Sequence, residues 1–361
     1  MKAIYVTKTY LPDQQKYQAY VEQIFESKRV SNNGALVRLL QEKLEKHLGV
    51  KHVLLVSSGT VALQIAYRLM GLSGEVITTP FSFVATTSSL VWEGLKPVFA
   101  DIDPLSFNID VNNIEKLVTE NTSAIVPVHV FGNACEIEKI EEIASRHQLK
   151  VIYDAAHAFG VDYKNKSILN YGNLSILSFH ATKLFHTIEG GALILNDDDM
   201  YLKAKEIINF GIDAESGTGA IEILGINAKM NEFEAAMGLC LLDDINLIID
   251  GRKKVYEYYK KNLQHVLQVQ KINSNATMNY SYFPVLFDSE DKLLQTLNKL
   301  NAKEIFPRRY FYPSLDALPY LKRTAIQPVS EDVSRRVLCL PLYPGLEPEI
   351  QNKIIDIILN S

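Results

Sequence analysis

Cysteine is nearly absent: Cys135, Cys240 and Cys339 are the only three in 361 residues. An odd, scattered set argues against a disulfide framework and offers no CxxC pair for a metal. No apolar run is long enough to span a bilayer, so no membrane partner is expected. Residues Met1 to Tyr10 lack the apolar core of a signal peptide, which makes a cytoplasmic location the expectation. Positive charge is not in excess, since 37 Lys and Arg face 42 Asp and Glu. Without a basic field, nucleic acid is not an expected partner. There is no internal repeat, no GxSxG, no GxxxxGK[ST] and no GxGxxG after the first strands. His129, His147, His180 and His186 have no convergent spacing, so no metal is expected.

What is present is a long alternation. Short apolar runs occur at His52–Val56, Glu75–Thr79, Pro97–Ala100, Ala124–Val130, Val151–Asp154, Leu174–Phe179 and Ala192–Leu195. They are rich in Val and Ile and almost continuously hydrophobic, as strands buried on both faces must be. Helical stripes lie between several of them, such as Val61, Ile65 and Leu69, or Ile137, Ile140, Ile143 and Ala144. This spacing predicts an α/β, doubly wound, mostly parallel sheet flanked by helices. After about residue 240 the pattern changes. Ile245–Leu263 reads as one long polar helix linking two parts. A strand at Tyr280–Phe287 and helices at Asp291–Leu300, Glu331–Leu338 and Glu347–Leu359 follow. The expected division is a large domain over 1–240 and a smaller α+β domain over 241–361.

In open parallel sheets, ligands bind beyond the carboxyl ends of the strands. After the first run comes Ser57-Ser58-Gly59-Thr60 and then a helix, a turn whose free N–H groups and dipole suit a phosphate. Taken alone, a helix capped by Ser58 is the simpler reading. After Val151–Tyr153 comes Asp154, with His157 three residues on. A carboxylate there could hold a protonated ring nitrogen, the partner that pyridoxal phosphate (PLP) needs as an electron sink. A capping Asp and a packed His are equally good readings of either residue alone. Ser178 comes after Leu174–Leu177, near the end of the sixth run, and Lys183 follows five residues later. A lysine near an apolar sheet edge can lose solvation and become a neutral amine able to form a Schiff base. A solvated surface lysine is commoner; what favours Lys183 is that Asp154, Ser178 and Gly59-Thr60 fall at equivalent sheet ends. Phe81 and Phe83 after the second run could stack on a planar ring or pack in the core. His180 and His186 flank Lys183, with a substrate or a structural role open to each.

Together these segments resemble the DegT/DnrJ/EryC1/StrS sugar aminotransferases. Ser178-Phe179-His180-Ala181-Thr182-Lys183 through Glu189-Gly190-Gly191-Ala192 is similar to the family's lysine signature. Ser57 to Leu63 is similar to its phosphate turn, and Pro80 to Thr86 to its stacking segment. Pro127 to Gly132, Asp154 to Ala158, and Gly225 to Met230 also match. The resemblance covers nearly the whole chain. It implies the PLP fold-type I architecture, with a seven-stranded, mostly parallel sheet, a smaller C-terminal domain, and a homodimer with shared active sites. Residue by residue, it implies Lys183 as the Schiff-base lysine and proton shuttle and Asp154 on the pyridinium nitrogen. His157 falls near the phenolic oxygen, and Phe83 falls on the ring. Gly59, Thr60 and Ser178 fall on the phosphate, with Asn227 supplied across the dimer.

One departure stands out: the family's Gly-Glu-Gly-Gly begins here with Ile188. An ordinary backbone or a shifted loop is therefore expected at that position, since a β-branched residue is strained at positive φ.

The implied reaction moves an amino group from glutamate, which leaves as 2-oxoglutarate, to a nucleotide-linked keto sugar. Members that dehydrate the sugar carry histidine where this chain keeps Lys183. The pattern, with Thr7-Lys8 and Ser31-Asn32-Asn33-Gly34, looks closest to members that aminate C4 of dTDP-4-keto-6-deoxyglucose. The product would be dTDP-4-amino-4,6-dideoxyglucose, for O-antigen polysaccharide. A C3-directed aminotransferase is the nearest alternative, and a non-catalytic regulatory or binding protein on the same fold is a further one. Arg309 and Tyr310, within Arg308-Arg309-Tyr310-Phe311-Tyr312-Pro313, are candidates for the diphosphate and base. A solvated basic turn beside core aromatics fits them equally.

Overall fold

The computed structural model describes residues 3–213, 219–321 and 325–361. Seven strands form one sheet in the order His52–Val56, Gly191–Leu195, Leu174–Ser178, Lys150–Asp154, Thr122–Val126, Glu75–Thr78 and Lys96–Phe99. Gly191–Leu195 is antiparallel to both its neighbours; the other pairings are parallel. Side chains alternate between faces along each strand. Val53 and Leu55 enter one core, Leu54 and Val56 the other. Ala192 and Ile194 divide from Leu193 and Leu195 in the same way. This is why the runs read as continuously apolar: both faces are covered.

Two of the expected runs are shorter in the structure by more than one residue. The strand expected over Ala124–Val130 ends at Val126, where Pro127 has no N–H to continue a ladder. The strand expected over Tyr280–Phe287 is confined to Pro284–Leu286. Upstream of it, the buried guanidinium of Arg252 donates to the carbonyls of Tyr280 and Ser281, and Tyr280 has φ +57°. The backbone there is held by a side chain and not by a neighbouring strand.

The helix Ile245–Leu263 keeps its expected bounds but is not simply polar. Ile245 and Ile248 pack into the core against the sheet, while Val255, Tyr256, Tyr259 and Leu263 pack into the core of the later segment. That segment is built on a three-stranded sheet of Gln268–Val269, Pro284–Leu286 and Val337–Cys339. The short strand Ile4–Tyr5 pairs in parallel with Ile305–Phe306, so the start of the chain joins its last third. Asp101, just past the edge strand Lys96–Phe99, caps the helix Pro328–Arg336 by accepting from Val329 and Ser330 N–H at 2.9 and 2.8 Å.

Two helices that the pattern did not suggest, Gln14–Ser27 and Ala35–Leu48, pack on Glu232–Asp243. The buried Glu232 carboxylate accepts from Leu36 and Val37 N–H at 2.8 and 3.0 Å, capping Ala35–Leu48 from another helix. Gly34 precedes that cap, and a Cβ there would collide with the Glu232 carboxylate. No helix among the described residues is long and apolar enough to cross a membrane.

Candidate active site

A cavity of about 260 Å³ opens at the carboxyl ends of the central strands. Gly59, Thr60, Phe83, Asp154, His157, Ser178, Lys183 and Tyr310 all line it. Each arrives on a different device. Gly59 and Thr60 begin the helix Gly59–Leu69, whose Ser58 cap accepts from Val61 N–H at 3.2 Å. The N–H groups of Gly59 and Thr60 have no partner among the described residues, as the first turn of a helix predicts. Ser178 ends its strand against Gly59; a Cβ on that glycine would lie 2.8 Å from the Ser178 Cβ. Only a residue without a side chain keeps this mouth open.

Asp154 ends its strand, and its buried carboxylate accepts from the Thr86 hydroxyl at 2.8 Å and from Ala156 N–H at 3.1 Å. No cation stands within ion-pairing distance of it among the described residues. Burial raises its pKa, and the more distant charge of Lys183 partly opposes that rise. Lys183 sits in the irregular connection between Ser178 and Gly191, its N–H turned onto the His180 carbonyl at 2.8 Å. Phe179 and Phe185 pin this connection, with ring centroids 4.9 Å apart edge-on and Phe185 stacked on Phe159 at 4.6 Å. The ammonium keeps a window onto the cavity but is otherwise enclosed. Burial pulls its pKa down to about 8, and Asp154 pulls in the opposite direction.

His157 is buried, and burial holds its pKa well below the usual imidazole range, so the ring is neutral. Its Nδ1 accepts from Phe131 N–H at 3.3 Å, which leaves the proton on Nε2 as a donor. Phe311 lies nearly parallel to this ring, 5.9 Å away, and Phe83 stands half-exposed over the cavity as the residue before the helix Val84–Trp92.

Two candidates are not brought into the cavity. Asn227 is exposed on a separate segment, beside Asn209. The Arg309 guanidinium donates to Glu290 Oε1 at 2.7 Å and to the Arg335 carbonyl at 2.9 Å, and covers the Tyr312 ring at 3.7 Å. One end of it is thus committed to Glu290 and a backbone carbonyl, and Arg309 does not line the Lys183 cavity. Thr86 and Phe311 belong to the site but were not singled out. Thr86 carried a signal, one turn into the helix that follows Phe83, whereas Phe311 stood in a run of aromatics that read equally as core.

The backbone at Ile188 also differs from expectation. It is not ordinary: φ is +73°, in the left-handed region. His186, fully buried, holds it there. His186 Nδ1 accepts from Ile188 N–H at 3.2 Å, while Nε2 lies 2.8 Å from the Tyr10 carbonyl. A non-glycine residue in this region costs roughly 1–2 kcal/mol, and glycine costs roughly 0.5–1 kcal/mol more in chain entropy. Ile188→Gly is therefore expected to stabilise the fold, by up to about 1 kcal/mol. A denaturant midpoint at or below that of the parent would contradict this account.

The sequence matches the DegT/DnrJ/EryC1/StrS aminotransferase family over residues 12–359. The chain belongs to that family. Among curated relatives of this DegT/DnrJ/EryC1/StrS aminotransferase, it is 42% identical to the dTDP-4-amino-4,6-dideoxy-D-glucose transaminase of Shigella dysenteriae, covering 99% of this chain and 98% of the relative. It is 40% identical to the protein of the same name in Escherichia coli, covering 100% and 99%. A crystal structure of DesI in the presence of its TDP-sugar product superposes with a TM-score of 0.92 at 32% identity, covering 99% of this chain and 92% of that one.

Family members are PLP-dependent sugar transaminases, and the cavity of this aminotransferase fits that cofactor. A desolvated carboxylate without a cation suits a protonated ring nitrogen. A neutralisable amine shares its cavity, and unpaired helix N–H groups meet a side-chain-free glycine where a phosphate would lie.

Proposed function

We propose that this aminotransferase transfers the amino group of glutamate to C4 of dTDP-4-keto-6-deoxyglucose, giving dTDP-4-amino-4,6-dideoxyglucose. The observation that carries the transfer chemistry is the convergence of Lys183 and Asp154 on one cavity at the strand ends. The sugar and its nucleotide are supported by the names of the two relatives at 42% and 40% identity.

In this reading Gly59, Thr60 and Ser178 hold the cofactor phosphate, Phe83 covers one ring face, and His157 Nε2–H donates to the phenolic oxygen. Asp154 keeps a proton on the ring nitrogen, because an ionised carboxylate in a desolvated site favours a cation beside it. Bound PLP supplies the sink for the electron pair left when a proton is removed from the amino-bearing carbon. Lys183 Nζ anchors the cofactor, takes the proton from the glutamate Cα, and later returns one to the sugar carbon. The product serves O-antigen assembly in the cytoplasm. Two copies of the chain share their sites, Asn227 of one reaching the phosphate held by the other. A C3 aminotransferase remains the alternative, because the sheet-end residues act on the cofactor and not on the sugar carbon that is chosen.

The deciding assay supplies PLP-loaded enzyme and glutamate with either the 4-keto or the 3-keto dTDP-6-deoxysugar. Amination of the 4-keto sugar alone is expected; preference for the 3-keto isomer would overturn the assignment of the carbon, and amination of neither would overturn the whole reading.

The depressed pKa of Lys183 adds a pH signature. Only the unprotonated amine attacks a carbonyl, and this amine loses its proton near pH 8 instead of near 10.5. At pH 7.5 about a quarter of the amines are then neutral, against about one in a thousand for an ordinary lysine. The rate at which cofactor-free protein captures PLP should therefore rise with pH and level off above about 9. A rate still climbing steeply at pH 10, followed by stopped-flow absorbance, would contradict this.

A further inference from the structure

Thr86 stands in the first turn of the helix Val84–Trp92 and is buried. A threonine inside a helix commonly turns its hydroxyl back onto a carbonyl of the preceding turn. This one leaves its helix and donates to Asp154 Oδ2 at 2.8 Å. Its N–H meanwhile donates to the Phe83 carbonyl at 3.2 Å, so one residue ties the carboxylate to the segment that carries the half-exposed ring. Behind it, Ser89 Oγ donates to the Thr86 carbonyl at 3.3 Å and lies 3.3 Å from the Tyr67 hydroxyl, both side chains buried. Thr86 is thus held in place from its own helix and from the helix Gly59–Leu69.

Among the described residues the Asp154 carboxylate has no other side-chain donor. Ala156 N–H reaches Oδ1 at 3.1 Å, and Lys183, in the connection after Ser178, acts only through space. His157, on the turn after Asp154, and His129, whose N–H donates to the Asp154 carbonyl, are both held neutral by burial. Burial likewise keeps Tyr67 a neutral phenol. A backbone N–H cannot accept, and a hydroxyl facing a protonated carboxyl loses a charge-assisted bond. Thr86 therefore favours the ionised carboxylate against the cost of burial. We propose that Thr86 is a positioning residue that keeps Asp154 charged and fixed in place for the cofactor's ring nitrogen. This rests on the assignment of Asp154 to that nitrogen.

Thr86→Val keeps the shape and removes the donor. In cofactor-free protein, denaturant titration should show the folding equilibrium lowered roughly 10–100-fold near neutral pH, as for a lost bond to a charged acceptor. The valine raises the folded-state pKa of Asp154. The loss should therefore be full above that pKa and shrink as pH falls through it toward about 4, where the carboxyl is protonated in both proteins. A packing defect would cost the same at every pH. In the PLP-loaded enzyme, the rate at which glutamate alone converts the cofactor, followed by absorbance, should reach its plateau about 1–2 pH units higher. Thr86→Ser, which keeps the hydroxyl, should restore both profiles. On an Asp154→Asn background, Thr86→Val should move neither along the pH axis. If the valine variant does not fold, Thr86→Ala carries the same expectations. A pH-independent loss of stability, or an unmoved glutamate profile, would overturn the proposal. A parent enzyme that converts its cofactor with glutamate but aminates no keto sugar would overturn the substrate reading alone.

Discussion

Lys183→Ala is expected to lower turnover by at least about 10⁴-fold. Positioned acid–base transfer alone contributes about 10²–10⁴-fold, and the same amine is the nucleophile that anchors the cofactor, a second contribution that the alanine also removes. Neither flanking histidine offers a second amine to anchor the cofactor. His157 is neutral with Nδ1 committed to the Phe131 N–H, and His180 is engaged with Thr182 at 2.8 Å. The fold should persist, because the connection is pinned by Phe179 and Phe185 and not by the lysine. Mass spectrometry after borohydride reduction is the second readout. The parent protein should gain the mass of the cofactor, and the variant should not. A variant that aminates the sugar within tenfold of the parent rate would end the assignment of Lys183.

The next largest effect belongs to Asp154. Asp154→Asn keeps the size of the side chain and an oxygen for the Thr86 hydroxyl, now 2.8 Å from the carboxylate, but it carries no charge. Losing one preorganised electrostatic partner in an enclosed site costs on the order of 10²–10³-fold in turnover. The cofactor should still be captured, since Lys183 and the turn at Gly59 remain. A shift in pH dependence should distinguish this from general damage. Asp154 raises the pKa of Lys183 against the effect of burial. Removing its charge should move the midpoint for PLP capture below about 8, so the neutral amine predominates at lower pH. An unchanged or higher midpoint would mean that the two groups do not act on each other.

Much of this site was legible because its parts lie at the ends of hydrophobic runs. Asp154, Ser178 and Gly59 each follow a strand whose apolar pattern is plain, and a parallel sheet gathers such ends along one edge. The individual residues were ambiguous, and only their shared position favoured chemistry over capping. What escaped were properties that arise between distant segments. The helix Gln14–Ser27 has a face made of Tyr residues and few aliphatics, so its packing on Glu232–Asp243 left little periodic trace. The cap that Glu232 gives to Ala35–Leu48 joins residues about 200 positions apart. The left-handed backbone at Ile188 depends on His186, itself oriented by Tyr10. Arg308 and Arg309 are the same residue type side by side, and it is contacts with distant segments, Glu290 and the Arg335 carbonyl, that hold the second of them.

The pairing of Ile4–Tyr5 with Ile305–Phe306 has a consequence for biosynthesis. A ribosome adding about 5–20 residues per second needs roughly 15–60 s to travel from the first of these strands to the second. Within that interval the strands of the sheet are all made, while Tyr5 waits for Phe306, the ring it stacks on. The nascent chain thus carries Gly59, Asp154 and Lys183 well before Tyr310 and Phe311, so their common cavity gains its last wall only after residue 311 has been added.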